Sequence, residues 1–453
     1  MILQKFKSNI VSHLSYFLGS DGEAAVVDPE LDCQIYLDSA EQGQMKIKYV
    51  FETHRNEDFI VGSKALSDST GAAICHGSWP EYKYGELVND GQEFEVGDLL
   101  VKALYTPGHT PGCISYAVTD LESGNENVLV FTGDALFVNE VGRTDFGGLE
   151  KKREWSENLY DSIFNRLLPL GDHVIICPAH GAGSICGSDI AQREFSTLGA
   201  ERLMNPRLQL SREEFIEYKL KEHHNYPPYF KLMEEYNIVG TTSIGPCESY
   251  ESLVPQEFKN MINEGAAVLD TRSASAFSSA HIAGSYSIPL SHLSFTGWFI
   301  SHETPVLTIV EDVLHLKEVS ELERIGYDDL HGYLAGGMAS WYSQGYPTES
   351  SRIIDADELK SWLDSEKDFY LLDVRSKDEF EEGHIQSATN IYVGHLQNRV
   401  SEIPRGKPIV VYCGSGNRAS IGASVLLRNK YKDVYNFLGS MSAWRRLQYP
   451  ESK

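Results

Sequence analysis

The sequence has no Cys-x-x-Cys pair, no cluster of basic residues and no apolar run of the ~18 residues that a membrane span needs. Its seven cysteines (33, 75, 113, 177, 186, 247 and 413) are scattered and odd in number. That excludes a zinc ribbon and a disulfide framework, and fits free thiols in a reducing, cytoplasmic setting. Lys and Arg total 39 against 65 Asp and Glu, a net charge of -26. Such a chain repels phosphate backbones and anionic lipid, so neither nucleic acid nor a membrane is an expected partner. The opening "MILQKFKSNI" is too polar for a signal peptide. What the chain does have is length: 453 residues, 42% apolar, enough for about three domains of roughly 150 residues.

An internal repeat fixes the domain count better than length. "LDTRSASAFSSAHIAGSYSIP" (269–289) lies over "LDVRSKDEFEEGHIQSATNIY" (372–392) at a constant offset of 103 residues. The same offset pairs Pro305 with Pro408, Gly336 with Gly439 and Trp341 with Trp444 without a gap. The expected domains are therefore 1–244, 245–349 and 350–453, with "GYPTESSR" as the seam between copies. Residues 190–236 read as helices closing the first domain.

In the second copy, "KPIVVYCGSGNRASIGASVLLRN" reads as a buried strand, a tight loop and a helix. Cys413 ends the strand and Arg418 stands where the helix begins. Loop amides and a helix N-terminus both favour a thiolate or persulfide anion, and Gly414 and Gly416 allow close backbone approach. The segment resembles the rhodanese family of sulfurtransferases through Asp373-Val374-Arg375, Glu379-Phe380, Gly383-His384-Ile385 and the loop 413–418. The resemblance implies that Cys413 carries sulfur as a persulfide, cradled by Gly414, Ser415, Gly416, Asn417 and Arg418. Phosphatases of related fold have one more residue between cysteine and arginine, so the shorter loop favours sulfur. Asp373, Arg375 and Glu379 are read as helix capping and an i,i+4 ion pair. In the first copy Val310 replaces the cysteine and His315 the arginine, with Glu311 and Asp312 between them. That copy resembles an inactive rhodanese domain whose role is to pack and orient its neighbours.

In the first domain, four apolar strands end in a candidate ligand: "KYVFETH" in His54, "LLVKALYTPGH" in His109, "NVLVFTGD" in Asp134 and "HVIICPAH" in His180. Functional groups gather in loops at strand ends. The order and spacing resemble the metallo-β-lactamase fold, an αββα sandwich with metals at one edge. The two-metal hydrolases of that fold use every position of T-H-x-H-x-D-H. Here "THRNEDF" (53–59) puts Asn56 and Phe59 at two of the three histidine positions. What survives is His54, His109 and Asp134. Two imidazoles and a carboxylate suit mononuclear Fe(II) oxygenases, although catalytic zinc also takes such a set. Together with "TPGHTPGC", "FTGDALF" and "GRTDF" (142–146), the pattern resembles the persulfide dioxygenases, which implies one Fe(II) per chain. Asp58 and His180 then orient ligands rather than bind iron. The resemblance places Arg143 at the substrate end of the pocket, with an ion pair to Asp145 or Glu140 as the alternative. His13, His76, His173, His223 and His224 are read as ordinary histidines.

Taken whole, the α/β chain resembles a persulfide dioxygenase fused to an inactive and an active rhodanese domain. The expected partners are a small thiol persulfide, O2, sulfite and thiosulfate. The apolar helices near 200–236 offer a face for a homo-oligomer. Two rival readings are a zinc thioester hydrolase of the glyoxalase II type with attached rhodanese domains, and a sulfur-relay protein that consumes no O2.

Overall fold

The computed structural model describes residues 1–187, 189–241 and 250–453; Cys247 and the expected boundary at 244/245 lie outside the described residues. Four sheets are described. They divide between two units, two sheets in each.

In the first unit, a six-stranded sheet runs in chain order from Ile2–Lys7 to Glu86–Leu87. A five-stranded sheet has the order Ile175–Pro178, Asn127–Gly133, Ile114–Asp120, Leu99–Tyr105, Glu93–Val96. Strand alternation decides what each face meets. Leu14, Tyr16 and Leu18 point between the sheets and share one core with Val101, Ile114 and Phe131. Phe17, Val26 and Val50 point the other way, against Tyr36 and Ala40 of helix Gln34–Gly43 and Leu66 of helix Ser63–Thr70. The far face of the second sheet (Ala117, Val130, Ile176) is covered by Leu159, Leu198 and Phe215. The result is helix, sheet, sheet, helix, as expected. Residues 190–236 do form helices, Leu198–Met204, Arg212–Lys221 and Phe230–Val239, the second opened by a Ser211–Glu214 capping box. Every strand ending in a candidate ligand is present: Lys46–Phe51, Leu99–Tyr105, Asn127–Gly133 and Ile175–Pro178.

In the second unit both sheets are parallel and share one strand order. The first runs Glu251–Leu253, Leu330–Leu334, Val306–Ile309, Ala267–Asp270, Tyr286–Ser287. The second runs Arg352–Ile353, Val434–Asn436, Ile409–Tyr412, Tyr370–Asp373, Thr389–Asn390. The sequence offset survives as register: Asp270 pairs with Ile309, and Asp373 with Tyr412. It survives in side chains too. Trp341 Nε1 donates to Pro347 O, and Trp444 Nε1 to Pro450 O. Phe277 stacks on His281 and Phe380 on His384. Helices cover both faces of parallel sheets of this kind, which is why their strands read as unbroken apolar runs.

The copies part at the strand-to-helix connection. In the second, the helix Asn417–Arg428 begins after a three-residue loop from Cys413. In the first, a short 3-10 turn Val313–His315 and a five-residue helix Leu316–Ser320 stand in its place.

Candidate functional site

Loop 53–61 of the first unit is held from two sides. Thr53 donates its N–H to Asp28 Oδ1 (2.8 Å) and its hydroxyl to Asp28 Oδ2 (2.7 Å). From the helix Phe230–Val239, Asn237 donates to the carbonyls of Asn56 and Phe59 and accepts from the N–H of Val61. The fixed loop turns His54 toward His109 and Asp134. Asp134 Oδ2 lies 3.7 Å from His54 Nε2 and 3.5 Å from His109 Nε2. All three residues are buried. Gly142 of "GRTDF" shows why that stretch is needed: a Cβ there would stand 1.9 Å from the carbonyl oxygen of Asp134 and 3.3 Å from His109 Cβ.

Each imidazole is oriented from behind. His109 Nδ1 lies 3.0 Å from the Arg143 carbonyl, which can only accept, so Nδ1 carries the proton. The Thr53 hydroxyl, spent on Asp28, accepts from His54 Nδ1 at 2.9 Å. Both Nε2 atoms therefore face the site as bare lone pairs, the tautomer a metal requires. Burial pushes His54 down to about 4, overriding the attraction of Asp134, which keeps the ring neutral. Burial likewise raises Asp28 to about 7, against the two Thr53 hydrogen bonds. Burial would raise Asp134 as well, but His180, His54 and His109 outweigh it and hold the carboxyl well below the usual range.

His180 serves Asp134 rather than the open side of the site. Its Nδ1 lies 2.7 Å from Asp134 Oδ1, and its Nε2 makes a 3.1 Å charge contact with Asp58 Oδ2. Burial would lower this imidazole, but two carboxylates outweigh it and raise it well above its ordinary value. Phe59 fills the neighbouring space, 3.9 Å from the His13 ring. His13, read as ordinary from the sequence, thus sits beside the site and forms a β-bridge with His180. Arg143 is fully buried and bidentate to Asp145 (2.7 and 2.8 Å), with Asn225 O as a further acceptor. The ion pair expected with Asp145 or Glu140 thus forms with Asp145.

Two residues near the candidate ligands went unnoticed in the sequence. Donor atoms of His54, Glu57 and His109 lie within 4.8 Å of one another, and Cys186 stands at that range from His109 and Asp134, and from Asp58 and His180. Neither residue ends a strand, so the signal that found the others could not find them. The donor set fits a metal. Among the described residues His109 Nε2, Asp134 Oδ2 and Glu57 Oε2 are buried acceptors without hydrogen-bond partners, an arrangement that is costly unless a cation fills it.

In the second unit, Cys413 is 1% exposed and the Gly416 N–H donates to its Sγ at 3.1 Å. Gly416 has φ +111°, and a Cβ there would meet Leu438 O at 2.2 Å, so this glycine is required. Gly414 is under no such constraint; its Cβ would meet only Arg418 Nη2, at 3.3 Å. Arg418 is bidentate to Glu379 at 2.6 and 2.7 Å. Burial would raise Glu379, but Arg418 outweighs it and brings it down to about 2. The pair's contribution to stability is present above the ordinary carboxylate range and is lost as pH falls toward that value. The expected i,i+4 pair of Arg375 with Glu379 does not form: Arg375 clasps Asp373 instead, and Glu379 also closes a capping box with Ser376. Asn417 Nδ2 reaches Ser291 Oγ of the first copy at 3.5 Å, and Trp298 packs on Tyr392 and His395. The first copy therefore walls the loop of the second.

Val310, buried at the matching position, is followed by exposed Glu311 and Asp312, and Asp312 takes the Leu314 N–H at 2.9 Å. Carboxylates thus stand where the second copy has the neutral Gly414 and Ser415, and they would repel an anionic sulfur. Val310→Cys is expected to create no sulfur transfer, assayed as thiosulfate consumption in a Cys413→Ser background.

Comparison with known proteins agrees with this layout. The metallo-beta-lactamase superfamily pattern matches residues 9–180, and the rhodanese-like domain pattern matches 254–344 and 355–447. A metallo-beta-lactamase structure from Staphylococcus aureus subsp. aureus COL superposes with a TM-score of 0.66 at 28% identity, over 74% of this chain and 99% of that one. The fold is thus a metallo-β-lactamase domain followed by two rhodanese-like domains, and it implies a bound metal. Persulfide dioxygenase ETHE1, mitochondrial, of Bos taurus is 31% identical over 208 residues, 45% of this chain and 74% of its own. The Mus musculus protein of the same name is 31% identical over 221 residues, 47% and 77%. The chain belongs to the persulfide dioxygenase family. A cytoplasmic hydroxyacylglutathione hydrolase of Arabidopsis thaliana is 38% identical over 135 residues, covering 51% of that protein.

Proposed function

We propose that residues 1–244 oxidise a low-molecular-weight thiol persulfide with O2 at one Fe(II), that 245–349 form an inactive rhodanese copy, and that 350–453 transfer sulfur through Cys413. The observation that carries the metal reading is the set of bare acceptors on His54, His109 and Asp134, with His180 diverted to Asp134 and Asp58. A ferrous ion there supplies the activation of O2. The chain's own residues do the rest. Thr53 and the Arg143 carbonyl fix the two imidazoles, His180, braced by Asp58, holds the second oxygen of Asp134, and Phe59 excludes water and a second ion. One persulfide, one O2 and one water give thiol, sulfite and two protons. The terminal sulfur is oxidised and O2 is reduced.

Sulfite then meets the second activity. The Cys413 thiolate attacks the terminal sulfur of a further persulfide, releases the thiol and becomes a persulfide itself. Sulfite takes that sulfur, giving thiosulfate and restoring the thiolate. The Gly416 N–H faces the reacting sulfur, and Arg418, anchored by Glu379, keeps positive charge beside it. The pairing of activities is consistent with sulfide detoxification. The free state of Cys33, Cys75, Cys113, Cys177, Cys186 and Cys413 is consistent with a reducing cytoplasm.

O2 uptake on adding a small thiol persulfide to iron-loaded protein tests the reading. Rapid uptake with sulfite formed, at one iron per chain, is expected. Two zinc ions with thioester hydrolysis, or a Cys413 persulfide without O2 uptake, would replace it with the hydrolase or the relay. Thr53→Val, which removes the acceptor behind His54, should weaken Fe(II) binding by roughly 10- to 100-fold in a chelator competition.

A further inference from the structure

Glu57 stands three residues after His54 and is 1% exposed. Arg55 Nη2 holds its Oε1 at 3.0 Å. Arg55 is itself braced by Glu234 at 3.2 Å and lies over the Trp79 ring. One carboxylate oxygen is thus tied down, and the other is aimed. Glu57 Oε2 has no hydrogen-bond partner among the described residues and lies 3.7 Å from His109 Nε2. The Arg143 carbonyl keeps the His109 proton on Nδ1, so two acceptors face each other across that gap. In a dry interior two facing acceptors repel, and a cation between them turns repulsion into binding. Donors about 2.0–2.2 Å from one ion stand roughly 3–4 Å from one another, the spacing found between His109 Nε2 and both Glu57 Oε2 and Asp134 Oδ2.

We propose that Glu57 Oε2 is a fourth protein donor to the metal of His54, His109 and Asp134, an inference that rests on the metal centre proposed above. The ion then sits among two imidazoles and two carboxylates, its double charge is neutralised, and one position fewer is open to substrate. Arg55 acts through Glu57 as a positioning residue.

The probe is Co2+ added to the metal-free full-length chain, followed by its visible absorption and by competition with a chelating dye. Glu57→Gln keeps the size but loses the charge. It should raise the Co2+ dissociation constant by on the order of 10- to 100-fold or more, since removing a mere supporting partner already costs that much, and it should change the absorption band. Arg55→Met should weaken binding less. Wild-type affinity and an unchanged band in Glu57→Gln, with binding lost in His54→Ala, would overturn the role of Glu57 and leave the centre standing. Wild-type binding in His54→Ala would overturn the centre itself. Should Glu57→Gln not fold, Glu57→Asp draws the carboxylate back by one methylene and must also shift affinity and band; no shift overturns the inference.

Discussion

His54→Ala is expected to abolish O2 uptake and most iron binding. His54 brings one of the two bare imidazole lone pairs to the site, and the loop that carries it is fixed by Asp28 on one side and Asn237 on the other. Alanine leaves that loop in place and removes only the donor. His180→Ala is the informative contrast. It frees Asp134 Oδ1 and leaves Asp58 unpaired, yet takes no lone pair from the ion, so it should cost roughly 10- to 100-fold in affinity rather than all of it. Iron and zinc counted per chain in wild type and both variants, beside O2 uptake, decide the matter. Two equivalent metals in wild type, or iron retained in His54→Ala, His109→Ala and Asp134→Ala alike, would sink the assignment.

Cys413→Ser should move the product from thiosulfate to sulfite while O2 uptake changes only modestly. His54, His109 and Asp134 lie in one unit and Cys413 in the other, each with its own cores. Serine keeps the size of the side chain and a hydrogen-bonding partner for the Gly416 N–H, but cannot form a persulfide. Given excess persulfide and O2, wild type should yield mainly thiosulfate and the variant mainly sulfite. Sulfite also attacks free persulfide unaided, so rates at low persulfide concentration are the fair comparison. Equal thiosulfate yields and rates from the two proteins would mean that Cys413 takes no part in turnover.

The layered fold was legible because strands ending in histidine or aspartate announce themselves as apolar runs with a polar stop, and because a repeat without gaps preserves register. His54, His109 and Asp134 could be grouped for the same reason. Glu57, Cys186 and His13 could not. Their neighbours come from other segments of the chain: Glu57 comes near His109 only because loops that follow strands of two different sheets converge. Arg418 was legible as a loop residue, but its partner was not, since Glu379 lies 39 residues earlier and could as well have faced Arg375. Local spacing predicts pairs along one helix; it cannot predict which of two arginines a carboxylate will choose across a sheet.

The shared strand order of the two rhodanese-like sheets carries a hazard during folding. Two tandem sheets of one topology invite a strand of one copy to dock in the other, a characteristic misassembly of repeat proteins. The edges limit this. Each sheet ends in strands of only two or three residues, Glu251–Leu253 and Tyr286–Ser287 in one, Arg352–Ile353 and Thr389–Asn390 in the other. An edge that short offers a stray strand few backbone groups to pair with, so the wrong partner gains little before the right one arrives.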